Sequence, residues 1–82
     1  MKNSFIPIPS DVETFPEPLE GIIEQTIALN QSGRVKFLGI YWPARFYETD
    51  CQETVFSNQL VMTVAIKGIT LLILPVDKSR VN

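Results

Sequence analysis

The sequence contains no histidine and one cysteine, Cys51, in 82 residues. The missing histidine removes the commonest general base and the commonest metal ligand. Ser10, Ser32, Ser57 and Ser79 therefore have no imidazole to activate them, and no motif supports a serine–lysine pair. A lone cysteine cannot form an intrachain disulfide, which fits a reducing compartment. Nor can it build a cysteine-rich zinc site within one chain. Asp50 and Glu53 flank Cys51 without metal-ligand spacing and read as solvated loop charges, with Cys51 as a free loop thiol of ordinary reactivity. No glycine-rich loop precedes a helix, so no phosphate-cradling motif of that kind is present. The expectation is a non-enzyme with no catalytic residues, no metal and no cofactor.

An excess of basic residues is also missing. The formal charge is −2, whereas domains that grip nucleic acid by its phosphates carry surplus lysine and arginine. The acids are unevenly spread: Asp11, Glu13, Glu17, Glu20 and Glu24 lie in the first third, so the middle is locally more basic than the total suggests. Long apolar runs are absent as well. The longest is Leu71–Val76, counting Pro75, far short of the roughly 18–20 residues a membrane helix needs. The start, MKNSFIPIPSD, does not read as a signal peptide. The chain is expected to be soluble and cytoplasmic, with any membrane association peripheral and through a partner.

What is present suffices for one small domain: 45% of residues are hydrophobic and 10% aromatic. Residues 1–18 hold Pro7, Pro9, Pro16 and Pro18. Proline at this density fixes φ and removes backbone donors, so the stretch reads as an extended or disordered arm, part of which can lie against the domain through Phe5, Ile6, Ile8 and Phe15. Leu19–Leu29 is ambiguous. Leu19, Ile22, Ile23, Thr26 and Ile27 follow helical spacing, while the β-branched content favours a strand. From Gly33 the pattern is β. Val35 and Phe37 alternate with Arg34 and Lys36; after Gly39, Trp42, Ala44 and Phe46 alternate with Tyr41, Arg45 and Tyr47, the signature of a hairpin. Pro43 cannot donate to a ladder and is expected at an edge or bulge. Glu48–Asn58 reads as a loop. Leu60–Ile66 and Ile69–Pro75 read as strands about the turn Lys67-Gly68. Short strands, two hairpins and little helix point to a small all-β barrel, and closing the sheet removes exposed edges.

Gly21, Ser32-Gly33-Arg34-Val35, Gly39 followed by Trp42-Pro43-Ala44, and Ile66-Lys67-Gly68-Ile69-Thr70-Leu71-Leu72-Ile73 stand in an order that resembles the C-terminal soluble domain of NfeD-family proteins. The matched residues are mostly turn glycines and core apolars and cover 19–76. The resemblance implies a five-stranded OB-fold barrel with Leu19–Leu29 as its first strand, so the expected division is the proline-rich arm over 1–18, the OB-fold-like domain over 19–76 and a frayed tail over 77–82. Asn58 stands where the family commonly has glycine; asparagine is the next best residue at positive φ. Family members typically carry membrane spans ahead of this domain, and long forms add a ClpP-like serine protease. This sequence shows neither, so protease activity is not carried over, and a stand-alone domain is expected. The family's link with stomatin-like membrane scaffolds implies an adaptor role, by analogy alone.

Two surfaces follow from alternation. With Val35, Phe37, Trp42, Ala44 and Phe46 inward, Arg34, Lys36, Tyr41, Arg45 and Tyr47 share the outer face of the hairpin. Cations beside stacking aromatics suit single-stranded nucleic acid. The same set also suits a protein-binding face or an ordinary solvated face of cross-strand pairs. Trp42 falls with the core, where its indole N–H seeks an acceptor. Leu71–Leu74 are apolar on both faces, which means either burial on both sides of a closed barrel or a partner surface at Leu72 and Leu74. The expected function is a protein-interaction or adaptor module serving a membrane-associated partner or a homo-oligomer. The alternative is a single-stranded nucleic-acid binder using the Arg34–Tyr47 hairpin face.

Overall fold

The computed structural model describes residues 12–76. The expectations for residues 1–11 and for the tail at 77–82 lie outside the described residues. Five strands form the domain: β1 (Val12–Gln25), β2 (Gly33–Phe37), β3 (Ile40–Phe46), β4 (Leu60–Lys67) and β5 (Thr70–Pro75). They close into a barrel in the order β1-β2-β3-β5-β4, with β1 pairing to β4. All pairings are antiparallel except β3 with β5. The described domain is an all-β, five-stranded, OB-fold-like barrel: the strand and turn pattern leads to a small barrel, and the resemblance to the five-stranded OB form.

Both hairpins are tight. Leu38-Gly39 joins β2 to β3, with φ of 53° and 78°, the two positive values of a type I′ turn. Gly68-Ile69 joins β4 to β5, and here only the first residue, Gly68, has positive φ, matching the II′ pattern. Asn58, also at positive φ, turns the chain into β4. Pro43 lies inside β3 opposite Arg34, but pairing with β5 begins only at Ala44. At Pro43 the strand is therefore paired on one side, and the missing N–H is tolerated.

The helical spacing of Leu19–Ile27 does not produce a helix. Gly21 and Ile23 face inward while Ile22 and Glu24 face out, the period of a strand. This segment pairs on both edges, with β2 through Ile22 and Ile23 and with β4 through Leu19–Ile22. Two ladders outweigh a weak local preference.

β1 begins well before Leu19, so the barrel includes residues assigned from sequence to the arm. Val12, Glu13 and Thr14 pair with Lys67, Ile66 and Ala65 of β4; the register then shifts before Leu19. Pro16 and Pro18 fall inside that shift, where no ladder donor is required. Phe15, just ahead of them, stacks on Phe37 with ring centroids 5.9 Å apart and planes 5° from parallel. Proline density interrupts the sheet locally without ending it.

The core is Ile23, Ile27, Val35, Phe37, Ala44, Phe46, Val55, Val61, Leu71 and Ile73. Val55 enters it from the long loop, held by reciprocal backbone bonds with Ile27 of 2.9 Å each. Thr63 is fully buried among these residues and donates its hydroxyl to the Leu19 carbonyl at 2.6 Å. A bulge between Thr63 and Ala65 reverses the alternation of β4. Ala65 and its partner Leu72 consequently turn to the outer side of the sheet, where both remain buried.

Candidate binding surfaces

The five residues expected on one hairpin face divide into two groups. Arg34, Lys36 and Tyr41 sit together because β2 and β3 pair Lys36 with Tyr41 and Arg34 with Pro43. β2 starts at Gly33, opposite Ala44. Beyond that point β3 has β5 as its neighbour, and Arg45 lies beside Leu72. Tyr47, just past β3, donates its backbone N–H to the Ile73 carbonyl at 2.8 Å. Arg45 and Tyr47 thus belong to a different surface from the other three.

The first surface crosses four strands. In register, Leu60 of β4 pairs with Ile22 of β1, Ile22 with Lys36 of β2, and Lys36 with Tyr41 of β3. Of this row, Tyr41 is 55% exposed, Ile22 41% and Leu60 39%. Lys36 Nζ lies 5.8 Å from the centroid of the Tyr41 ring, within cation–π range. Arg34 Nη1 is 3.7 Å from Glu24 Oε1. An open cleft of ≈ 490 Å³ lies over Ile22, Lys36 and Tyr41 of this row and is lined also by Ile23, Glu24, Ser57 and Asn58. One cation is engaged by a carboxylate and the other lies over the only ring of the row. The surface is therefore apolar and aromatic with one cation in excess, and sequence alternation alone did not reveal Ile22 and Leu60 as members.

The second surface follows Thr14, Ala65, Leu72 and Arg45 across β1, β4, β5 and β3. Above it lies a cleft of ≈ 500 Å³ whose polar lining is Thr14, Arg45, Tyr47, Thr49 and Lys67. Leu72 is 4% exposed and Leu74 only half-buried. The partner surface expected at these two leucines is corrected for Leu72, which lies beneath the cleft and presents almost no area. Burial on both sides of β5 is what its run of leucines reflects.

A third cleft, of ≈ 300 Å³, separates the Ala28–Ser32 loop from the chain after β3 and is lined in part by Arg45, Glu48 and Cys51. Cys51 is a half-buried free thiol. Trp42 packs against the core, as its alternation predicts, yet its Nε1–H is buried with no hydrogen-bond acceptor. An unpartnered buried donor costs about 1–3 kcal/mol. Among the described residues no cluster of three or more histidine, cysteine, aspartate or glutamate side chains could hold a metal ion, and no helix is long and apolar enough to cross a membrane.

Comparison with known proteins finds no matching family model, no significantly similar curated protein and no significantly similar solved structure.

Proposed function

We propose that this domain is a non-catalytic protein-interaction module that docks a partner on the outer face of β1, β2 and β3. The observation that carries the reading is the exposed row Leu60–Ile22–Lys36–Tyr41, which lines up apolar and aromatic side chains across four strands. Exposed apolar side chains gathered in one patch mark interaction sites more often than scattered ones do, and tyrosine is enriched at interfaces. The resemblance to the NfeD soluble domain supports an adaptor role for a membrane-associated scaffold of the stomatin type, or a homo-oligomer.

Single-stranded nucleic acid is the competing ligand, and the exposed Arg34, Lys36 and Tyr41 favour it. Weighing against it, Arg34 is paired with Glu24 and one face of Tyr41 is taken by Lys36. Tyr41 and Tyr47 are six residues apart, about 20 Å along a strand at ~3.3 Å per residue, too far for neighbouring bases to stack on both.

The deciding experiment is an amide NMR titration of the labelled chain with the soluble domain of a stomatin-type scaffold, and separately with short single-stranded DNA and RNA at low salt. A sedimentation series tests self-association. The module reading expects shifts at Ile22, Lys36, Tyr41 and Leu60 from protein or self-association, abolished in Ile22→Glu. Shifts on the same face from oligonucleotides alone would replace it with the nucleic-acid reading.

A further inference from the structure

The second surface carries a different chemistry. Arg45 and Lys67 reach the same cleft from β3 and β4. Among the described residues, Thr14, Tyr47 and Thr49 add three hydroxyl groups to its lining, and no aspartate or glutamate is part of it. The β4 bulge turns Ala65 and Leu72 outward, and Leu72 contributes with Val12 to the apolar part of the cleft's lining. Neither cation has an ion pair or a side-chain hydrogen bond: the one ion pair among the described residues is Arg34–Glu24. Glu48 lines the neighbouring cleft on the other side of Arg45 without pairing to it. Arg45 is half-buried and Lys67 exposed, and both keep their charge free for an anionic ligand.

We propose that this cleft binds the phosphate monoester of a small molecule, with Arg45 and Lys67 holding the phosphate, Thr14 and Thr49 donating to its oxygens, and the Tyr47 ring bearing the rest of the ligand. Two cations and several hydroxyl donors match a dianionic phosphate better than a single-charge carboxylate. Arginine supplies a planar fork for paired phosphate oxygens, and lysine a point charge. At ≈ 500 Å³ the cleft is roomier than a phosphate alone requires and lies within the range of small-molecule sites, roughly 300–1,000 Å³. Among the described residues the site shares no lining residue with the row at Ile22 and Tyr41, so the two proposals stand or fall separately.

The test is an amide NMR titration of the full chain with phenyl phosphate, inorganic phosphate and benzoate, paired with co-sedimentation on phosphatidylcholine vesicles with and without phosphatidylinositol phosphate. Expected are saturable shifts at Thr14, Arg45, Tyr47, Thr49 and Lys67, stronger for phenyl phosphate than for inorganic phosphate and absent with benzoate. Arg45→Gln and Lys67→Gln should each weaken phenyl phosphate about tenfold or more, the order expected for a charge-assisted hydrogen bond. Ile22→Glu should leave it unchanged. Vesicle binding that requires the phosphorylated lipid assigns the phosphate to a headgroup; soluble binding without sedimentation assigns it to a free metabolite. The proposal is overturned if no phosphate probe saturates, if benzoate matches phenyl phosphate, or if both glutamine variants, with folded spectra, bind unchanged.

Discussion

Leu38 holds φ of 53° at the tip of the first hairpin and is 78% exposed. A left-handed conformation costs a branched side chain about 1–2 kcal/mol, and asparagine tolerates it far better. Leu38→Asn creates an Asn-Gly turn and should raise stability by about 0.5–1 kcal/mol in urea unfolding; a loss would mean that Leu38 has a packing role its exposure does not suggest. Gly33 is constrained by space and not by φ. A methyl group there would run into the carbonyl oxygens of Gln25 and Thr26, which are backbone atoms that cannot rotate away. Gly33→Ala should therefore cost at least about 2 kcal/mol, toward the upper part of the overpacking range. An unchanged urea midpoint would show that the β1–β2 connection can yield.

Between elements, β1 is the strand on which closure depends. It serves two neighbours and crosses a proline-containing register shift on one of them. The Thr63 hydroxyl bond to the Leu19 carbonyl lies where pairing with β4 resumes after the shift. Thr63→Val keeps the shape and removes the donor, so a loss of about 1–2 kcal/mol is expected, with faster hydrogen exchange at the β1–β4 ladder. The Arg34–Glu24 pair joins β2 to β1 but both side chains are over 40% exposed, at 47% and 41%. Glu24→Gln should thus change stability by less than about 0.5 kcal/mol, while freeing Arg34. If the nucleic-acid reading were right, this variant would bind oligonucleotides more tightly.

At the scale of the molecule, one core joins every strand and the long loop through Val55. Ile73 is fully buried at its centre, beside Phe46 in β3 and Thr63 in β4. Ile73→Ala should cost about 2–5 kcal/mol, the range for truncating a buried aliphatic residue. Every strand is paired on two sides, so unfolding should be a single cooperative step. Trp42, the only tryptophan, reports the core, and its fluorescence midpoint in urea should coincide with that of far-ultraviolet circular dichroism. Separate midpoints would show that part of the barrel unfolds on its own.

Alternation and turn glycines, both local properties, determined that the chain is β from Gly33 onward. Strand period 2 places Val35, Phe37, Ala44 and Phe46 inward whatever surrounds them, and Gly39 and Gly68 mark turns because few residues accept positive φ. The inward set and both hairpins were legible for that reason. The first strand was not legible from periodicity, because the choice between helix and strand at Leu19–Ile27 rests on two ladders made by residues distant in sequence. The candidate surfaces were half legible. Alternation found the outward cations and tyrosines, but which of them meet depends on where β2 begins, where β5 takes over and where β4 bulges. Those are properties of register, and register is decided by closure of the barrel around one core. That is why Arg34 and Tyr41 join Ile22 from β1, Arg45 joins Lys67 from β4, and Leu72 is covered.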